Sequence, residues 1–236
     1  MKKHVLSFLI CLILAFSLMI DTKATPSPMP INRAEAENVL GKMENVGRTL
    51  SSLVATLWQQ KKNTQLGIDE PAETGELYYL PGKNGAIKLR IDISAPTKKT
   101  VVITGDEIKF YQPTIQQMLV TSIKGAKNSQ SFGSFAITFG SVSAIRTNYE
   151  VTFVKEEKIE GEQTSLLHLS PKQPTPYKGI DIWISHNSWL PIQEKLLETN
   201  DVTTIKLSNL KKNESFNVKA LIENFAPPKA TKIVKG

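Results

Sequence analysis

Apolar and polar residues alternate along most of this chain with a period of two. The clearest stretch runs from Ile87 to Ile93, where Ile87, Leu89, Ile91 and Ile93 are separated by Lys88, Arg90 and Asp92. One face of such a segment is aliphatic and the other charged, which predicts a half-buried β-strand. Around it lie Leu77–Leu80, the turn Pro81-Gly82-Lys83-Asn84-Gly85, and the break at Ala95-Pro96. Val101–Thr104, the turn Gly105-Asp106 and Ile108–Tyr111 follow, ended by Pro113. Residues 75–117 therefore predict an antiparallel meander. Upstream, Leu53, Ala55 and Leu57 alternate with Val54, Thr56 and Trp58. Downstream, Tyr149, Val151 and Phe153 form one alternating run. Leu166–Leu169 comes next, then Ile180, Ile182 and Ile184 set against Asp181, Trp183 and Ser185. Pro191–Leu197 and the run through Thr203, Ile205 and Leu207 complete the set. Strands recur about every 10–12 residues, as one large antiparallel sheet or barrel requires.

Two segments depart from this period. Ala36, Val39, Leu40, Met43, Val46 and Leu50 fall three and four apart, predicting an amphipathic helix over Asn32–Leu50. Asn32 with Glu35 offers a capping-box-like start. Ser131–Ile145 carries no charge until Arg146 and is rich in aromatic residues. Phe132, Phe135 and Phe139 are spaced for a short helix, yet Phe135, Ile137 and Phe139 also alternate as a strand would. Such a segment serves either as ordinary core or as a movable lid over an apolar cavity. Ile115–Ile123 fits strand or helix equally. Phe216–Leu221 leads to Phe225 and the pair Pro227-Pro228, and the tail Lys229–Gly236 is basic. No repeat and no linker divides the chain after its first residues.

The N-terminus changes the meaning of the overall composition. Met1-Lys2-Lys3-His4 precedes the apolar run Val5–Ile20, and Thr22 and Ala24 sit three and one positions before a cut after Ala24. This pattern predicts a secretory signal peptide over residues 1–24, in competition with a retained membrane anchor. Residues 25–31 then form a proline-rich flexible lead-in, and 32–236 the folded domain. Cleavage removes Cys11, the single cysteine, so disulfides, thiol catalysis and cysteine zinc sites are excluded. Without Lys2, Lys3, Lys23 and Asp21, the 29 basic and 22 acidic residues become 26 and 21, a net charge of +5. The lysines are scattered, as on a soluble surface, and an exported chain is not expected to meet nucleic acid.

No catalytic constellation emerges. His168 and His186 are isolated from metal-ligand spacing. Gly133-Ser134 and Gly140-Ser141 match no nucleophile motif. Glu156-Glu157 lies in a solvated charge run, and phosphate loops are absent. Neither an enzyme nor a cofactor or metal protein is expected. A convergent Ser/His/Asp cluster at His168 or His186 would revive an exported hydrolase. Asn213-Glu214-Ser215 matches a glycosylation sequon that also arises by chance. What remains is a set of strands with one aliphatic face and little helix to cover it. A curved sheet of that kind fills its concave side with its own side chains or keeps a cavity for acyl chains.

The order of segments resembles the outer-membrane lipoprotein carrier family, the LolA/LolB-like periplasmic proteins. The matching features begin with the signal peptide, the helix and Leu53–Gln60. Gly75-Glu76-Leu77-Tyr78-Tyr79, Lys88–Ile93, Ala95-Pro96 and Val101–Asp106 follow. Phe110-Tyr111-Gln112-Pro113 with Gln116-Gln117 comes next. Leu167–Leu169 with Pro171-Lys172, Leu190-Pro191, Thr203–Asn209 and Phe225 with Pro227 end the series. The resemblance implies an α+β, mainly antiparallel fold, an open incomplete β-barrel (half-barrel) with helices covering its mouth. It implies a monomeric periplasmic carrier that shields the acyl chains of lipoproteins or other lipids on their way to the outer membrane. An inner-membrane release complex and an outer-membrane acceptor would be its partners. The expected lining is Leu57, Leu89, Ile91, Ile93, Phe110, Ile182 and Ile184, and the expected lid Phe132, Phe135 and Phe139. Arg90 is the candidate, by neighbourhood, for the arginine that links barrel to lid in the family. Asn200-Asp201-Val202 lacks the family's glycine. The alternative is an envelope interaction or sensor module of the same fold with a filled cavity.

Overall fold

The structure is a computed structural model in which residues 31–82, 87–122 and 141–235 are described. Helix α1 (Ile31–Thr49) opens it, with Ala36, Val39, Leu40 and Met43 buried as the three-and-four spacing requires. Asn32 lies inside the first turn of α1 and not before it. The strands are β1 (Leu53–Asn63), β2 (Ile68–Asp69), β3 (Glu73–Pro81), β4 (Ile87–Ala95), β5 (Lys99–Thr104), β6 (Glu107–Gln112) and β7 (Gln117–Ser122). A short helix α2 (Val142–Asn148) then precedes β8 (Tyr149–Ile159), β9 (Glu162–Pro171), β10 (Gly179–Ser185), β11 (Pro191–Leu197) and β12 (Asp201–Lys212). One π-helical turn, Lys219–Glu223, leads to β13 (Lys232–Lys235).

Among the described residues the strands make one sheet in the order β13-β7-β6-β5-β4-β3-β1-β12-β11-β10-β9-β8, with β2 hooked onto β1. β13 and β8 do not meet, so the barrel is open. Pairing is antiparallel throughout except where β13 lies parallel to β7. The alternation read from the sequence sets which face is which. In β4, Ile87, Leu89, Ile91 and Ile93 are buried on the inner face, and Lys88, Arg90 and Asp92 point outward. The ambiguous stretch after Pro113 is a single 3-10 turn (Pro113–Ile115) followed by strand β7.

Inner-face side chains fall into two clusters. The first joins Leu53, Leu57, Leu77, Leu89, Ile91 and Ile103 from β1 and β3–β5 to Ile205 of β12. Val46 and Leu50 bring the end of α1 against it. The second packs Ala36, Val39, Leu40 and Met43 of α1 and Val142 and Ile145 of α2 onto Leu167, Leu169, Ile180, Ile182 and Ile184. Arg146 clamps the two helices: its Nε meets Glu37 and its Nη1 meets Glu44, each at 2.9 Å. Arg146, aided by Arg48, holds the Glu44 carboxyl below the usual carboxylate range.

The outer face has a cover of its own. At the end of β12, Asn213 adopts a left-handed φ of 60°. Its Oδ1 accepts from the Ser51 backbone nitrogen at 2.8 Å, and Ser52 Oγ donates to the Glu214 carbonyl at 2.6 Å. The chain then crosses β3–β6: Phe216 stands edge-on to Tyr78, Ile222 is buried, and Phe225 lies near Tyr111. Lys88 pairs with Glu223 at 2.5 Å. Arg90 donates to the Leu221 carbonyl at 2.8 Å and sits over the Phe225 ring. Residues 213–235 thus form a strap that ends as β13 on the β7 edge. Arg90 is therefore an anchor of this strap on the outer face and cannot link the inner face to a cover, because its neighbours Leu89 and Ile91 take the inward positions.

Of the described glycines, Gly75 is the one most closely approached by backbone. A Cβ there would lie 2.0 Å from the Asp92 carbonyl oxygen, beside a register shift between Thr74 and Gly75. Gly75→Ala should destabilise the fold by about 3 kcal/mol or more, since backbone must move. Gly41→Ala, in the middle of α1 with nothing within 4 Å, should stabilise it by about 0.5–1 kcal/mol. Chemical denaturation of the two variants checks both signs.

Candidate functional site

The inner face is the surface with functional potential, and it is built from period-two strands laid side by side. Leu57, Leu89 and Ile91 are completely buried there, as are Ile182 and Ile184, with Ile93 close behind. Phe110, register partner of Val101, is half-buried at the margin of the first cluster. Leu57, Leu89, Ile91, Ile93 and Phe110 belong to the first cluster, and Ile182 and Ile184 to the second, beneath the helices. Phe132, Phe135 and Phe139 lie outside the described residues.

One row of register partners across this floor includes three polar residues, Glu73, Gln59 and Glu194. Glu73, Gln59, Ile205, Glu194, Ile182, Leu167 and Phe153 are successive register partners across β3, β1, β12, β11, β10, β9 and β8. Gln59 and Glu194 are 7% and 3% exposed. The Gln59 amide nitrogen donates to Glu73 at 2.6 Å, and Glu73 also pairs with Lys99. Sequence reasoning passed over these residues, although a signal existed. Gln59 continues the inward series Leu53-Ala55-Leu57, and Glu194 stands between Ile192 and Leu196 at two-residue spacing.

At the start of β8, the Tyr149 hydroxyl meets the Tyr177 hydroxyl at 2.5 Å within the second cluster. Burial pushes the Tyr149 hydroxyl far above its ordinary range, with further contributions from Tyr177 and the Glu194 charge. Burial also raises Tyr177. At the opposite strand end, Lys42 of α1 lies 4.1 Å above the Trp189 ring, which stacks on His186. The Nε2 of His186 contacts Ser165 Oγ at 2.8 Å.

That serine–histidine contact is not a hydrolytic relay. The nearest carboxylate, Glu156, lies 3.9 Å from the same ring nitrogen, whereas a relay places the acid on the other one. Ser165 is 2% exposed and closed to substrate. His168 bonds Asp181 at 2.6 Å on the outer face, packed against Gly179. Among the described residues no three His, Cys, Asp or Glu side chains group to hold a metal ion. The arrangement is an aliphatic surface interrupted by the polar side chains of Gln59, Glu73 and Glu194.

Residues 50–220 match the family model described as outer membrane lipoprotein carrier protein LolA. No curated protein matches the sequence. Among solved structures, an uncharacterized conserved protein from Thermus thermophilus is 14% identical with a TM-score of 0.56, over 86% of this chain and 99% of that one. MucB is 15% identical with a TM-score of 0.54, over 85% of this chain and 66% of its own. An outer membrane lipoprotein-sorting protein domain from Vibrio parahaemolyticus is 13% identical with a TM-score of 0.51, over 82% and 98%. At these identities the likeness is one of fold.

The tyrosine pair sets an alkaline limit on stability. A tyrosine whose folded pKa is raised above its unfolded value keeps its full contribution below about pH 10 and loses it as the pH climbs further. Urea denaturation between pH 8 and 11 should show stability falling above pH 10. The double variant Tyr149→Phe/Tyr177→Phe should show a shallower fall.

Proposed function

Because the chain belongs to the LolA family of outer membrane lipoprotein carriers, we propose that it is an exported carrier that holds acyl chains against the inner face of the half-barrel. The observation that carries this reading is the continuous aliphatic floor of β1, β3, β4 and β5. Leu57, Leu89, Ile91 and Ile93 share it, with Phe110 at its rim and Ile182 and Ile184 extending it under the helices. Each methylene removed from water there contributes about 0.8 kcal/mol, enough for a chain of moderate length to bind without any charge. Release then requires a competitor for the same surface. The Phe132–Phe139 segment and α1 are the proposed cover, packing on the floor when cargo leaves. Residues 1–24 would direct export to the periplasm, and donor and acceptor membranes would supply the partners.

A second reading is favoured by one feature of the same floor. Leu57, Leu77, Leu89 and Ile91 are already completely buried by the chain's own atoms. A module whose concavity is permanently filled would look like this and would act through protein contacts at its surface. The two readings separate on cargo. Residues 25–236, exported in a bacterial host, recovered from the periplasm and analysed by native mass spectrometry with lipid extraction, should carry acylated peptide or phospholipid near one-to-one. Consistently empty protein that also fails to bind a fluorescent fatty acid would establish the filled module. On the carrier reading, Phe110→Ala should weaken fatty-acid binding about fivefold with little change in thermal stability, because the ring is only half-buried.

A further inference from the structure

At the β7 edge of the open sheet, apolar and basic side chains stand together in water. Ile115, in the 3-10 turn that leads into β7, is 59% exposed, and Ile233 of β13 is 56% exposed. The two belong to one corner, because the Gln116 carbonyl accepts from the Lys232 backbone nitrogen at 2.8 Å. Lys232 and Lys235 bound β13 at either end, and Lys229 occupies the turn before it, all three exposed. We infer that this corner is a docking surface for an anionic bilayer, with the isoleucines entering the interface and the lysines meeting lipid phosphates. The inference does not depend on what the inner face holds.

Charge selects this corner among the exposed apolar positions. Single exposed leucines and isoleucines are common on proteins and need no explanation. Leu66 and Ile68 also stand close together, at 69% and 57% exposure, but Asp69 and Glu70 follow them directly, and an anionic surface would repel that hairpin. Residues 113–122 and 224–236, by contrast, contain no aspartate or glutamate. Glu107, which faces Ser122 at the far end of β7, is engaged by Lys109. Among the described residues Lys229, Lys232 and Lys235 pair with no carboxylate, whereas Lys61, Lys88, Lys99 and Lys206 each do. Such lysines beside exposed apolar side chains are the combination that holds a protein reversibly at an anionic membrane surface.

The other occupant an open edge could take is a further strand. β13 is four residues long with lysine at both ends, a pattern that discourages strand addition. Its side chains suit a bilayer better. Ile233 is the register partner of Met118, itself the partner of Tyr111, so Ile233 and, by alternation, Lys235 share the outer face. Val234, Leu119 and Phe110 make the adjacent inner row. A molecule docked at this corner therefore brings the border of its aliphatic floor to the membrane.

Residues 25–236 contain no cysteine, so one introduced thiol can report the contact. Ile233→Cys carrying a nitrobenzoxadiazole dye should shift to the blue on vesicles of phosphatidylcholine with one-quarter phosphatidylglycerol, and brominated lipid should quench it. The same dye at Lys158→Cys, on β8 at the opposite edge, should not respond. In vesicle sedimentation, Lys229→Gln/Lys232→Gln/Lys235→Gln should weaken binding by about tenfold or more, since each lysine near such a surface raises partition about fivefold. Lys158→Gln/Lys211→Gln/Lys212→Gln, equal in charge but away from the corner, should leave it nearly unchanged. Ile115→Ser/Ile233→Ser should weaken binding about fivefold and keep its salt dependence. These side chains are all exposed, and thermal unfolding confirms that each variant folds. Absence of binding to the anionic vesicles at low salt, or equal loss in the two lysine triples, would overturn the docking surface. So would a dimer that Ile233→Ser dissociates and vesicles leave intact, which would give the edge to a second copy of the chain. Vesicle binding by protein that takes up no fatty acid would keep the surface and remove the carrier reading, and fatty-acid binding without vesicle binding would do the reverse.

Discussion

An apolar face on a sheet that does not close has to be covered by something other than the sheet, and the rest of this molecule follows from that constraint. The strands alternate aliphatic and polar residues, so every inner position adds to one concave surface. Closure would have turned that surface into a barrel core. With β13 and β8 apart, the covering falls to α1 and α2 over the second cluster. The outer face of β3–β6 meets the same demand through the strap, where Ile222 and Phe225 lie against side chains that the alternation alone would have left to water. The chain spends its helices inside and its C-terminal segment outside.

The period-two pattern made most of this legible. Ile87, Leu89, Ile91 and Ile93 announced both the strand and its inner face, because every second residue of β4 is aliphatic and every intervening one polar or charged. The helix stripe from Ala36 to Met43 was equally plain. β13 was not, since four residues with lysine at each end carry too little pattern, and its partner β7 lies more than a hundred positions earlier. Arg90 was misplaced for a related reason: a charge in an alternating run marks the outer face, and what an outer-face arginine touches depends on a segment from elsewhere in the chain. Phe132, Phe135 and Phe139, expected from the sequence as a lid, lie outside the described residues.

The inner face shows how polar residues carry information on a surface selected for being apolar. Leu57 and Ile91 could be exchanged for other aliphatic residues of similar volume with modest change in stability. Gln59 could not, because its amide nitrogen donates to Glu73 in a place without bulk water. A floor made only of leucine and isoleucine would hold its strands by packing alone. Gln59 adds a directed link from β1 to Glu73 of β3.

The Arg146 clamp has a different dependence on surroundings from the floor it helps to cover. Its guanidinium and both carboxylates, Glu37 and Glu44, are partly open to water, at 34%, 40% and 38% side-chain exposure. Their attraction is therefore screened by mobile ions, over a distance of about 8 Å at physiological ionic strength. Burial of leucine and isoleucine is indifferent to dilute salt. The ion-pair part of the grip of α2 on α1 thus weakens as ionic strength rises, while the apolar packing that holds both helices to the strands does not.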